Sequence, residues 1–226
     1  MTTPGRAGPF GPGEEEARDD GAGPGAEPRE WGDAVRPLLE ATVAPVSSLE
    51  GHAAGDVSAR PLNVLTVVAQ QPELLAPFLG WASALALRGV VSRRDHELLA
   101  LRTAWNCRSD FEWGHHVVYG RAAGFDDEDL ARVVAGSDAT GWDGGEVWLM
   151  RAADELHRDA TISDATWAHL ADRYPPGALV EIPLIVGQYT MLSMLANAAG
   201  VELEAGLDRL PTPPAPRVDD GQAAPN

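Results

Sequence analysis

The segment "NCRSDFEWGHH", residues 106–116, concentrates a serine, acids and two histidines in an otherwise aliphatic stretch. On one continuous helix Ser109, Glu112 and His116 would lie within an arc of about 60°, because successive residues turn by about 100°. These three side chains could therefore line one pocket. Histidine titrates near neutral pH and can give and take a proton, which predicts acid/base chemistry here.

The same spacing has a purely structural interpretation. Ser109 followed three residues later by Glu112 is the pattern of a helix capping box. Asn106 and Ser109 are both poor residues for a helix interior and good ones for a helix start. From the spacing alone, a helix cap explains these residues as well as a functional site does.

Glu97 is a further candidate whose position depends on the helices. Along one unbroken helix it would lie about 28 Å from His116, at about 1.5 Å per residue. The two side chains can meet only if the helix breaks between them, and residues 106–109 are where we expect the break. The sequence therefore predicts two helices, one carrying Glu97 and one beginning near Ser109.

Composition limits the classes of function. The 226-residue chain has a formal charge of −17 and contains no lysine. Phosphate binding needs a clustered basic face, so nucleic acid is not expected as a partner, and Schiff-base or P-loop lysine chemistry is excluded. The single Cys107 excludes an internal disulfide and is typical of a reducing compartment. With no signal-peptide pattern and no long apolar run seen, we expect a soluble cytoplasmic protein without membrane contact.

The pattern along the chain predicts one all-α domain between two disordered tails. Residues 1–30 contain twelve Gly or Pro residues, and residues 210–226 are Pro-rich, which leaves a folded unit at 31–209. Ser92 is expected to cap the helix "RRDHELLALRTAW". The last helix, "GALVEIPLIVGQYTMLSMLANAAG", should end at Gly200 and hold Pro183 in its first turn.

The stretch "ELLALRTAWNCRSDFEWGHHVVYGRAAGF" resembles the carboxymuconolactone decarboxylase and alkylhydroperoxidase D superfamily. In that family a glutamate is followed nineteen residues later by a histidine, as Glu97 is by His116. The resemblance covers roughly residues 60–207 and implies an all-helical, oligomeric protein. The apolar stretch "LLAPFLGWASALAL" also favours a homo-oligomer, because it exceeds what a lone surface helix needs.

Two branches of the superfamily differ in the residues between this glutamate and this histidine. The peroxidase branch has cysteines twelve and fifteen positions after the glutamate, where this chain has Ser109 and Glu112. Cys107 lies two positions too early, and a serine cannot cycle through a disulfide. The resemblance is thus to the decarboxylase-like branch, which implies a cofactor-independent enzyme, and an antioxidant peroxidase is the less favoured alternative.

The resemblance implies catalytic roles for three residues. His116 would be the central acid/base, Glu112 would orient its ring, and Glu97 would shuttle a proton if burial raises its pKa. Small-molecule substrate contacts are predicted at a hydroxyl, a guanidinium and two aromatic rings, namely Ser109, Arg102, Trp113 and Tyr189; Arg108 is an alternative guanidinium and Trp105 a further ring. Core packing explains each aromatic equally well.

Alternatives to this site also follow from the sequence. Glu112 with His115, and Asp154 with His157, have the spacing of di-iron carboxylate ligands, but the further glutamates of such sites are not evident, so no metal is predicted. His115 is turned about 100° from His116 and is expected to be exposed or at an interface. A non-catalytic oligomer that binds a small ligand stays open as a different class of protein.

Overall fold

A computed structural model describes residues 63–212, and these residues form eight helices. In chain order they are α1 Asn63–Val68, α2 Pro72–Arg88, α3 Arg93–Asn106, α4 Asp110–Ala122, α5 Asp127–Ala135, α6 Glu146–Asp159, α7 Asp164–Arg173 and α8 Pro176–Ala199. The predicted all-α fold is confirmed for this part of the chain. The predicted tail at 1–30, and all but residues 210–212 of the C-terminal one, lie outside the described residues.

Short polar caps set the helix starts. The Ser92 hydroxyl accepts a hydrogen bond from the Asp95 backbone N–H at 3.1 Å, which satisfies one of the free donors in the first turn of α3. Ser163 caps α7 in the same way. Gly200 ends α8 with φ of 64°, a left-handed conformation that glycine adopts without steric cost. The boundaries predicted at Ser92 and Gly200 are confirmed.

Helix α3 lies at the centre of the domain and packs against α4, α6 and α8. Its Leu98, Leu99 and Leu101 are completely buried on different sides of the helix. Each such side chain contributes about 1.5–3 kcal/mol of burial free energy. A helix surrounded in this way is held rigidly, which suits it to carry buried polar groups.

The start of α8 differs from the sequence expectation. The helix begins at Pro176, so Pro183 lies in its interior and not in its first turn. The prediction was wrong because the Pro175–Pro176 pair, with its fixed φ, already supplies the helix start. Pro183 lacks the N–H that would bond to the carbonyl of Leu179.

Helix α8 is also long and apolar enough to cross a membrane, with a mean hydropathy of 1.5 in its most apolar window. Half of that window is buried inside the domain, and Glu181 and Gln188 are among its buried residues. The core helix of a soluble protein passes the same test of length and composition. The packing therefore favours a core helix over a membrane span.

Candidate active site

A tight turn joins the two helices that carry the site. α3 ends at Asn106 and α4 begins at Asp110, and Arg108 takes a left-handed φ of 54° between them. The predicted break is confirmed. The turn folds α4 back against α3, so that residues far apart along the chain face each other.

The capping-box interpretation holds for one of its two residues. The Ser109 hydroxyl accepts a hydrogen bond from the Glu112 N–H at 3.3 Å and so caps α4. The Ser109 N–H, however, donates to the Ala104 carbonyl at 3.0 Å. The Glu112 carboxylate is directed to His116 instead, and this residue needs an explanation beyond the cap.

His116 lies between two buried carboxylates. Its Nδ1 is 2.6 Å from Oε2 of Glu97, and its Nε2 is 3.5 Å from Oε2 of Glu112. Glu97 is fully buried, and both other side chains are almost so. The structure thus brings together the three residues that the sequence analysis predicted as catalytic.

The two carboxylates keep the imidazole charged. Burial acts to lower the pKa of His116, but Glu97 and Glu112 outweigh it and raise the pKa to about 9. Burial acts to raise the pKa of Glu97, yet the charge and hydrogen bond of His116, with Arg93, hold this pKa below its ordinary value. At neutral pH the site therefore contains an imidazolium bonded to a carboxylate, in contrast to the raised pKa expected for Glu97.

A second buried histidine lies beside this cluster. Nε2 of His96 is 2.8 Å from the Tyr189 hydroxyl, and the Tyr189 ring stands edge-on to His116 with centroids 4.3 Å apart. Burial lowers the pKa of His96 to about 4, so the ring is neutral, and burial raises the pKa of Tyr189 well above 10. The sequence analysis missed His96, although a polar ring directly before Glu97 in an aliphatic helix was a signal.

Arg93 approaches the cluster from the protein surface. Its Nη2 is 2.9 Å from Oε1 of Glu97, and its guanidinium lies 5.7 Å from the centre of the Tyr119 ring. About a third of the Arg93 side chain is exposed, whereas Glu97 has no exposed surface. The buried carboxylate thus connects His116 on one side to a solvent-facing cation on the other.

Two of the predicted substrate contacts lie elsewhere. The Arg102 guanidinium binds both carboxylate oxygens of Asp154, at 2.6 and 3.0 Å, and the Val133 carbonyl at 2.7 Å. Trp113 is packed in the hydrophobic core, with its ring 6.1 Å from that of Trp105. The structure therefore does not bring Arg102 to His116, and it gives Trp113 a packing role.

His115 is buried within this chain, whereas the sequence analysis expected it to be exposed or at an interface. Its Nδ1 lies 2.8 Å from the Phe111 carbonyl and its Nε2 lies 3.2 Å from Oε2 of Glu204. The helical turn does point it away from His116, but the segment after α8 covers it. His115 thus ties that segment to α4.

The di-iron alternative gains no support from residues 63–212. They contain no group of three or more His, Cys, Asp or Glu side chains able to hold a metal ion. Glu112 and His115 have different partners, and Asp154 is paired with Arg102. The two Glu-x-x-His-like patterns therefore do not converge on one point.

The fold defined by these helices is that of the alkylhydroperoxidase D group. A variant of the debrominase Bmp8 in complex with 2,3,4-tribromopyrrole has a TM-score of 0.63 and 14% identity, over 77% of this chain and 90% of its own. An uncharacterised peroxidase-related protein from Silicibacter sp. TM1040 has a TM-score of 0.65 and 18% identity, over 80% and 88%. A protein of unknown function from Agrobacterium tumefaciens, named as a candidate antioxidant defence protein AhpD, has a TM-score of 0.57 and 16% identity, over 61% and 95%.

Residues 72–155 match the model of the Carboxymuconolactone decarboxylase family. This region includes the turn between α3 and α4 and all three residues of the buried cluster, Glu97, Glu112 and His116. The resemblance predicted from the sequence is therefore confirmed over residues 72–155. No curated protein sequence matches the chain significantly.

Proposed function

We propose that this protein is a cofactor-independent acid/base enzyme that acts on a small carbonyl acid or lactone, by decarboxylation or a related proton-transfer step. The observation that carries the proposal is the buried imidazolium of His116 between the carboxylates of Glu97 and Glu112. Burying these charges costs several kcal/mol unless they compensate one another. Such an arrangement is typical of a site where a proton must be held and moved.

The two ring nitrogens suggest different roles. Nδ1 is held at 2.6 Å by Glu97, which fixes the ring and supports its positive charge. Nε2 has the longer contact, 3.5 Å to Glu112, and is the nitrogen whose N–H we assign to the substrate. In this proposal Glu97 orients the ring, and the substrate replaces Glu112 as the partner of Nε2.

The reaction then needs only one proton to be moved. When carbon dioxide leaves an acid whose carbonyl is β to the carboxylate, the electron pair of the broken C–C bond moves onto the carbonyl and forms an enolate. The N–H of His116 stabilises the enolate oxygen and then supplies the proton that the α-carbon takes up. Solvent restores the proton on the ring, whose carboxylate neighbours favour the charged form.

The alternative function, an antioxidant peroxidase, requires two thiols. The chain contains one cysteine, and Ser109 and Glu112 occupy the positions of the family's redox pair. Cys107 is half-buried, and burial raises the pKa of its thiol, which lowers its reactivity. We expect purified protein to consume no organic hydroperoxide, and Cys107→Ser to keep the acid/base activity.

Two further expectations belong to this proposal. Val180, Leu184, Met191 and Met194 are apolar residues exposed on α8 and support a homo-oligomer, and the single thiol suits a reducing compartment such as the cytoplasm. Nothing in the proposed chemistry requires a nucleic acid, a membrane or a cofactor.

A substrate screen tests the proposal. Small carbonyl acids and lactones are incubated with the protein in D₂O, and deuterium incorporation at the α-carbon and product formation are followed by NMR. His116→Gln should reduce the rate about a hundredfold to ten-thousandfold, as for loss of a general acid/base. The matched control is His169→Gln, because His169 is exposed on α7 and stacked on Trp148.

The outcomes separate an enzyme from a non-catalytic ligand-binding protein. Turnover lost in His116→Gln and kept in His169→Gln supports the enzyme. Ligand binding without exchange or product, for every compound, would favour the non-catalytic ligand-binding class. Turnover that His116→Gln leaves unchanged would contradict the proposal.

A further inference from the structure

Arg93 is a cation with unused hydrogen-bond donors at the edge of the buried cluster. A guanidinium has five N–H donors. Nη2 of Arg93 is 2.9 Å from Oε1 of Glu97, but Oε1 has no hydrogen-bond partner, so this contact is an ion pair without good hydrogen-bond geometry. Among residues 63–212, Arg93 donates one long hydrogen bond, 3.4 Å from Nη1 to the Ala86 carbonyl.

The other two arginines of α3 are fully engaged. Arg94 binds Asp129 through two nitrogens and Glu146 through a third. Arg102 binds Asp154 through two nitrogens, as described above. Arg93 is therefore the arginine of this helix that combines exposure, free donors and contact with the cluster.

We propose that Arg93 binds the carboxylate of the substrate, so that the site accepts small monocarboxylates and rejects their uncharged amides. The inference rests on the proposed function and narrows it to the proton-transfer reactions, in which the carboxylate stays on the substrate and on Arg93. An arginine matches a carboxylate with two parallel hydrogen bonds, which Glu97 does not provide. Arg93 and His116 contact the same carboxylate, Arg93 at Oε1 and His116 at Oε2 of Glu97.

Charge balance predicts that a proton enters with the ligand. Arg93 and His116 carry two positive charges, which balance the carboxylates of Glu97 and Glu112. A ligand carboxylate adds one negative charge, so the two carboxylates of the cluster together take up one proton from solvent. The charged and titratable groups around Glu97 come from three helices: Arg93 and His96 from α3, Glu112, His116 and Tyr119 from α4, and Tyr189 from α8.

Calorimetric titration with pyruvate and with its uncharged amide, pyruvamide, tests the inference. The proteins are wild type, Arg93→Gln, Arg93→Lys and the control Arg121→Gln, whose guanidinium is exposed and paired with Asp127. We expect Arg93→Gln to weaken pyruvate binding at least tenfold, Arg93→Lys to weaken it less, and Arg121→Gln to leave it unchanged. Pyruvamide should bind weakly to all four proteins.

Proton uptake is read from the same titrations. In buffers of different ionisation enthalpy at pH 7, the heat of pyruvate binding should vary with a slope of about one proton. Glu97→Gln should bind pyruvate with a slope near zero.

Four results would overturn the inference. They are no pyruvate binding to wild type, equal binding of pyruvamide, unchanged affinity in Arg93→Gln, and a heat independent of buffer. If Arg93→Gln bound pyruvate normally while His116→Gln lost turnover, the proposed function would stand and this inference alone would fail.

Discussion

At the scale of single residues, the charge on His116 is also a determinant of stability. The pKa of this imidazole is 6.5 when exposed and about 9 in the fold, so protonation favours the folded chain. The contribution is complete below pH 6.5 and is lost as the pH rises through about 9. It amounts to something on the order of 3 kcal/mol.

We expect the free energy of unfolding in urea to fall between pH 6.5 and 9 for the wild type, and to fall less for His116→Gln. His169→Gln, which alters an exposed histidine, should follow the wild-type curve. A wild-type curve that stays flat over this interval would show that the fold does not favour the charged ring.

The loss of His116 should also show how the charges of the buried cluster compensate one another. His116→Gln leaves two buried carboxylates without their cation, and removing one partner of a buried ion pair costs about 3–5 kcal/mol. The double variant Glu97→Gln/His116→Gln removes one of those charges. We expect thermal melting to recover in the double variant while turnover does not, and equal melting temperatures in both variants would contradict this coupling.

Residues of the site could be predicted from the sequence where they lie one turn apart on the same helix. The spacing of Glu112 and His116 follows from helix geometry, and the family separation supplied Glu97. His96 was missed because its partner Tyr189 is 93 residues away. Arg93 lies one turn before Glu97 on the same helix, so that spacing could have predicted it, but the sequence analysis did not use it. Contacts across helices depend on packing, which the spacing along one helix does not contain.

At the scale of elements, α4 is held against the segment that follows α8. A Cβ added at Gly114 would lie 2.7 Å from Cδ1 of Leu203 and 2.9 Å from the Asp208 carbonyl oxygen. The leucine can move, but the backbone carbonyl cannot do so without shifting the segment.

Gly114→Ala therefore sets two effects against each other. Alanine favours a helix by about 1 kcal/mol over glycine, whereas overpacking costs about 1–3 kcal/mol. Because a backbone atom is involved, we expect net destabilisation and a lower urea midpoint. The matched control is Gly187→Ala on α8, where the added Cβ meets nothing within 4 Å and should stabilise the helix. An unchanged or raised midpoint for Gly114→Ala would mean that the segment moves away freely.

Helix boundaries were predicted well where a local cap defines them and poorly where tertiary contacts do. Ser92, Ser109 and Gly200 act on their own turns, so their roles could be predicted from the sequence. The exposure of His115 could not, because Glu204 and the segment around it are brought over α4 only by the fold.

At the scale of the whole molecule, the chain exposes an apolar stripe along α8. The stripe consists of Val180, Leu184, Met191 and Met194, which are 40–64% exposed and fall within an arc of about 80° at 100° per residue. Trp81 of α2, 42% exposed, extends the stripe, since its indole N–H donates to the Gln188 side chain at 2.7 Å. On a chain with a charge of −17, an uncharged surface of this kind favours association with a second copy.

Met191→Glu should convert the proposed homo-oligomer into a monomer in sedimentation velocity. An unpaired carboxylate buried in an apolar interface costs several kcal/mol, which is enough to abolish an association of micromolar affinity. Trp167→Glu is the matched control, because Trp167 is equally exposed on α7 but lies outside the stripe, and this variant should sediment as the wild type does. A wild type that stays monomeric at high concentration would remove the oligomer, and an oligomer that persists in Met191→Glu would place its interface on another surface. Met191 is exposed on α8, whereas Glu97, Glu112 and His116 are buried, so the monomeric variant should keep its affinity for pyruvate.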